Sequence, residues 1–253
     1  MKHVEKIKTN KAPGSDQILP EMLKNTSPAF TNFYLELFNT IFESHIFPDQ
    51  WTKITVVPIY KKGEKSQPLN YHPISLVPCL AKVYMYIMHS HIFAWAVDNN
   101  ILPKEQTAFQ KNKGTENNLF ILHSLIMLNK SKKAAKMYAF FADLKQACDS
   151  VNHDLLWNKL KIMGLSPKII KNLAPFYALL SLKINTKNGW TKEIKINRGV
   201  LQGDPLSPLL FILFLADLPL IIPERCGIKH DSNIYKFLMY ATKLCFWLQI
   251  DPA

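Results

Sequence analysis

Arg198-Gly199-Val200-Leu201-Gln202-Gly203-Asp204-Pro205-Leu206-Ser207-Pro208-Leu209-Leu210-Phe211 opens the most apolar part of the chain. The Gln202-Gly203 pair predicts a tight turn, because glycine accepts backbone conformations and close approaches that a Cβ forbids. Leu206 to Ile222 then predicts a buried helix. The stretch is short for a membrane span, and Pro208, Asp217 and Pro219 interrupt it. A plain core helix needs neither the Gln-Gly pair nor the Arg-Gly before it, so this run signals more than packing.

Met137 to Leu144 is a short apolar run that predicts a strand ending at Asp143. Asp149 follows in Lys145-Gln146-Ala147-Cys148-Asp149-Ser150-Val151. Alone, an aspartate at a strand end is more often a cap or turn residue than a metal ligand. Other elements follow from periodicity. Pro20 opens a helix with Met22, Leu23, Phe33, Leu37 and Ile41 on one face, and residues 79–97, 115–130, 155–163 and 167–180 read as helices. Trp51 to Tyr60 is a β-branched run closed by Lys61-Lys62-Gly63, a strand then a turn. Leu182 to Ile196 predicts a hairpin turning at Asn188-Gly189, and Tyr235 to Ile250 a strand pair. This mixture is an α+β fold. A change of character near residue 135 divides the chain into 1–134 and 135–253.

A hydrophobic fraction of 48% with only 8 glycines belongs to a folded globular chain rather than a disordered one. Thirty-one basic against nineteen acidic residues leave a formal charge of +12, which favours a polyanionic partner through counterion release. Arg198 and Arg225 are the two arginines, so the charge is lysine, suited to diffuse backbone attraction more than forked phosphate recognition. Cys79, Cys148, Cys226 and Cys245 form no C-x-x-C pair, which argues against a zinc site or disulfide framework and for a reducing compartment. The first residues lack a signal peptide's apolar core. An intracellular protein without a membrane partner is expected, in cytoplasm or nucleus.

Five ordered stretches resemble the reverse transcriptases of non-LTR (LINE-type) retrotransposons. Asp143 to Val151, continued by His153, Leu155 and Leu156, is similar to the first palm motif, D-L-x-x-A-F-D-S-V followed by H-x-x-L. Lys11-Ala-Pro-Gly-Ser-Asp16 resembles the K-A-P-G-x-D entry to the fingers. Trp51 to Gly63 resembles the finger strand with phosphate-facing lysines, and Asn70 to Leu76 the N-Y-R-P-I-S-L motif. Arg198 to Phe211 resembles G-V-x-Q-G-x-x-L-S-P-L-L-F. The resemblance implies the fingers (1–134) and palm (135–253) of a right-hand polymerase, one reverse transcriptase domain with the thumb absent. It also implies an RNA template, a DNA primer and Mg²⁺. Polymerisation is an in-line displacement that two Mg²⁺ ions stabilise, and these need carboxylates brought to one point. Asp143 is then the catalytic metal ligand. Lys61 and Lys62 steer the triphosphate, and Gln202 with Gly203 lines the nucleotide and template site.

The departures are as informative. Where the family's third palm motif reads Y-A-D-D, this chain reads Tyr240-Ala241-Thr242-Lys243, and no Asp-Asp pair occurs elsewhere. Thr242 and Lys243 thus occupy the positions of the missing aspartates, and a lysine there repels Mg²⁺. Cys148 stands where the family has an aromatic residue that excludes the ribose 2′-hydroxyl. His72 replaces a finger arginine, Gln110 a basic residue, and Ala108 and Gln17 replace glycines. A catalytically inactive reverse transcriptase domain is expected unless Asp149 or another acid substitutes. The alternatives are a non-catalytic nucleic-acid-binding module, or a pseudogene product without selected function.

Overall fold

The computed structural model describes residues 2–27, 29–130, 136–186, 189–223, 227–230 and 233–250. Its helices are α1 (Lys2–Glu5), α2 (Pro20–Lys24), α3 (Ala29–Ser44), α4 (Asp49–Thr52), α5 (Cys79–Asp98) and α6 (Thr115–Lys130), then α7 (His153–Ile162), α8 (Pro167–Leu179), α9 (Ser207–Phe214) and α10 (Leu218–Ile221). The first strands are β1 (Lys53–Tyr60), β2 (Tyr71–Leu76), β3 (Lys136–Asp143), β4 (Ser181–Thr186), β5 (Gly189–Trp190) and β6 (Ile194–Lys195). The remaining strands are β7 (Ile228–His230), β8 (Asn233–Tyr235), β9 (Phe237–Tyr240) and β10 (Lys243–Ile250). The expected α+β mixture is therefore present. Among the described residues no helix is long and apolar enough to cross a membrane.

Two compact units are formed, residues 1–95 with 148–210, and residues 96–147 with 211–253. In the first, β1 lies between antiparallel β2 and parallel β4, and β4 also pairs with β5 and β6. Buried Ile54 and Val56 alternate along β1, the period-two pattern of a strand with one face in a core. That core is aromatic. Phe47 lies 4.9 Å from Phe176 and 5.7 Å from Tyr84 between ring centres, and Phe38 and Trp51 complete the cluster. Tyr84 is fully enclosed, so its hydroxyl needs a partner. It donates to Asn172 Oδ1 at 2.7 Å, and Asn172 Nδ2 donates to the Ile41 carbonyl at 3.0 Å.

In the second unit β10 is the central strand, antiparallel to β3 over eight residue pairs and to β9 over four. One face carries Leu238, Cys245 and Trp247 against Leu125 of α6. The other carries Phe237, Met239 and Leu244, with Ala142 and Phe246, against Leu215, Leu218 and Ile222. Residues 105–107 run beside β9: Met239 N donates to Glu105 O at 2.9 Å and Thr107 N to Met239 O at 3.0 Å.

Three expected elements differ. The helix opened by Pro20 is two helices, α2 and α3, and its predicted apolar face is not shared: Met22 and Phe33 are exposed while Leu23, Phe38 and Ile41 are buried. Asn25-Thr26-Ser27 ahead of a proline disfavours helix, and the Thr26 hydroxyl donates to Leu23 O at the end of α2. Trp51 belongs to the single turn of α4 rather than to β1, with Asp49 in the first turn beside the helix's positive end. The apolar stretch after Leu206 is broken into α9 and α10, because Pro219 can only enter at a helix start. The predicted turn at Asn188-Gly189 falls partly outside the described residues, although Thr186 and Gly189 pair across it.

Candidate active site

Asp143 is the last residue of β3, delivered there by the apolar run that makes the strand. Directly across the ladder its partner is Lys243, the first residue of β10. Opposed residues of an antiparallel pair put their side chains on the same face. Between β9 and β10 the turn is Ala241-Thr242, and the Thr242 hydroxyl donates to Asp143 Oδ1 at 3.1 Å. Leu144 N donates to Thr242 O at 2.9 Å, tying this turn to the end of β3. Asp143, Thr242 and Lys243 are thus brought together as one exposed group with a single carboxylate.

Mg²⁺ does not fit this group. The ion takes oxygen ligands in an octahedron and is usually held by carboxylates. Here one carboxylate already accepts from a hydroxyl and faces an ammonium-bearing chain, whose charge repels a divalent cation. Among the described residues no three His, Cys, Asp or Glu side chains gather closely enough to hold a metal ion.

Cys148, Gln202 and Gly203 lie in the other unit. Gln202 Nε2 donates to Asp149 Oδ1 at 3.0 Å. The Asp149 backbone is held just as closely: Gly199, at φ +92°, leaves no room for a Cβ, which would stand 2.9 Å from Asp149 O. Val200 N donates to Cys148 O at 2.9 Å. Burial raises the Cys148 thiol pKa, with Asp149 adding to the rise, so the thiol stays protonated near neutrality. Gly203 has φ +118°, and a Cβ there would meet Ser75 O at 2.8 Å. Ser75 N donates to Gln202 O at 2.9 Å, so the Gln-Gly turn lies backbone to backbone on β2.

Lys61 and Lys62 are exposed just past the end of β1, and His72 is exposed on β2 opposite Ile59. The loop between is built by Tyr60 and Tyr71, whose rings meet edge-on at 5.6 Å, with Lys65 Nζ 5.7 Å from the Tyr60 ring centre. Of the two glycine replacements, Gln17 does take φ +59°, whereas at Ala108 the positive φ falls one residue later, on Phe109.

Two residues escaped the sequence reading. Gln106 is wholly buried, and its carboxamide is bonded to both backbone groups of Ala241. Nothing in Glu105-Gln106-Thr107 marks it, since its partner lies 135 residues away. Asp204 is also buried, its Oδ2 accepting from Ser207 N and Oγ, both at 3.1 Å. The Asp-x-x-Ser spacing at a helix start is a capping signal that could have found it.

The sequence pattern of the family described as reverse transcriptase (RNA-dependent DNA polymerase) matches residues 59–241. The chain is 32% identical over 228 residues to the probable RNA-directed DNA polymerase from transposon BS of Drosophila melanogaster, covering 85% of this chain and 24% of that protein. To the RNA-directed DNA polymerase from mobile element jockey of Drosophila funebris it is 30% identical over 222 residues, covering 85% and 24%. A Pol polyprotein from the type-1 retrotransposable element R2 of Popillia japonica is 28% identical over 219 residues, covering 86% and 29%. The chain spans about a quarter of the length of these relatives. By the match over most of its length, this chain belongs to the reverse transcriptase family, as a domain of the kind found in non-LTR retrotransposons.

Proposed function

We propose that this chain is a retrotransposon-derived RNA-directed DNA polymerase domain that has lost polymerisation while keeping the frame of the site. The observation that carries this is the composition of the hairpin group: Asp143 is opposed by Lys243 and bonded by Thr242 where the chemistry calls for two further acids. Electrostatic stabilisation of the developing charge depends on cations held at that point, and one carboxylate beside a lysine cannot hold them. Asp149, the nearest substitute in sequence, is engaged by Gln202.

In this reading the finger-like part (1–134) carries Lys61, Lys62 and His72 toward the triphosphate, and the palm-like part (135–253) carries the acids. Gln202 and Gly203 border nucleotide and template, Cys148 occupies the ribose-sensing position, and an RNA template and DNA primer are the ancestral partners. Primer extension on an RNA template with Mg²⁺ or Mn²⁺ tests it. No incorporation above that of Asp143→Ala is expected; robust incorporation that Asp143→Ala abolishes would overturn the reading.

A second reading, a nucleic-acid-binding module without catalysis, is favoured by the charge of +12. It requires RNA affinity to fall steeply with salt as counterions are released. Salt-independent or absent binding removes it.

A further inference from the structure

The turn that presents residues 242 and 243 is held by a side chain from far along the chain. Ala241 adopts φ +52°, a conformation costly for a residue with a Cβ. What keeps it there is visible around it. Gln106 Oε1 accepts from Ala241 N at 2.9 Å and from Ala108 N at 3.0 Å, while Gln106 Nε2 donates to Ala241 O at 3.4 Å. The carboxamide therefore closes both hydrogen-bonding groups of the strained residue at once, from a position with no solvent exposure. Its own stem is fixed by the pairing of residues 105–107 along β9. Asn118 Nδ2 adds a bond to Met239 O at 3.2 Å. None of these contacts involves the side chains of Thr242 or Lys243.

We infer that Gln106 is a positioning residue for the hairpin: it sets the tip at Ala241 and so places side chains 242 and 243 beside Asp143. The frame is independent of what it presents. The defect of the site then lies in two side chains and not in the backbone that carries them. This second part rests on the reading given under Proposed function, whereas the hold of Gln106 on Ala241 does not.

The test separates the two. Amide hydrogen exchange of the full chain is compared with Gln106→Met, which keeps the volume but removes all three bonds, and with Gln106→Glu, which keeps both accepted bonds. Ala241 and Ala108 amides are expected to exchange roughly tenfold faster in Gln106→Met, with protection largely restored in Gln106→Glu, while Phe246 in β10 stays as in the parent. Unchanged exchange at Ala241 in Gln106→Met would overturn the inference. Should Gln106→Met unfold, the Gln106→Glu chain decides alone: loss of Ala241 protection in it, with β10 intact, likewise overturns the inference.

In parallel, Mn²⁺ is titrated by electron paramagnetic resonance into Thr242→Asp/Lys243→Asp and into the same chain with Gln106→Met. Mn²⁺ binding by the first, weakened roughly tenfold or more in the second, is expected. Equal Mn²⁺ affinity in the two overturns the positioning role. Absence of Mn²⁺ binding in the first, with the exchange pattern as expected, overturns the reading of the hairpin as a depleted metal site and leaves the hold of Gln106 standing.

Discussion

Replacing Asp204 by asparagine should make this protein more stable at pH 8 and remove the pH dependence that this one carboxyl contributes. Asp204 follows the Gln202-Gly203 turn in the chain and is buried, with Oδ2 accepting both bonds of Ser207. Burial in this setting penalises the charged form and raises the carboxyl from its ordinary 3.8 to about 7, against the pull of hydrogen bonds from Ser207 and the Leu206 backbone and of Lys82. The groups that face it are Lys82 and Tyr86 from α5, Ser207 from α9, and Tyr177 from α8, whose hydroxyl is 3.5 Å from Ser207 Oγ. Because the folded state holds the proton more tightly than the unfolded chain, the contribution to stability is whole below about pH 4. It declines as pH rises toward 7 and is lost above that. At about 1.4 kcal/mol for each pH unit between the two values, the loss is on the order of 4 kcal/mol. Asparagine carries no charge, and its Oδ1 can still take both Ser207 donors. Urea unfolding between pH 4 and 8 should therefore find Asp204→Asn near the parent at pH 4 and more stable by a few kcal/mol at pH 8. Parallel curves for the two proteins would refute the argument.

Gly203→Ala should destabilise the fold by at least about 2 kcal/mol, since the new Cβ meets the Ser75 carbonyl at 2.8 Å at a backbone φ of +118°; thermal unfolding measures it. Gln17→Gly should stabilise by roughly 0.5–1 kcal/mol, because φ is +59° there, and a midpoint no higher than the parent's would refute that. Tyr84→Phe should cost roughly 1–3 kcal/mol in urea unfolding, as it leaves buried Asn172 Oδ1 without its donor at 2.7 Å.

Much of this was legible from sequence wherever local pattern and burial agree. The apolar run ending at Asp143 became β3, and the periodic stretches 79–97 and 115–130 became α5 and α6 within a residue. Gly203 behaves as its turn demands. What failed was continuity. Leu206 to Ile222 is apolar on all faces apart from Ser207 and Asp217, so periodicity alone did not mark where Pro219 restarts the helix. For the candidate site, the departure of Thr242 and Lys243 from the Y-A-D-D pattern could be read directly, but the contacts around them could not. Gln106 and Ala241 are far apart in the chain, and a buried glutamine looks like any surface glutamine until its partners are known. Likewise, the bond from Gln202 to Asp149 joins two stretches whose patterns say nothing of each other.

In the function proposed, Asp143 has lost the partners needed to hold divalent cations. Counting Mn²⁺ bound to the parent chain and to Asp143→Ala, by electron paramagnetic resonance in the presence of a primed RNA template and deoxynucleotide, tests it most directly. The same titration is expected for both proteins. Two ions bound by the parent and missing from Asp143→Ala would contradict it.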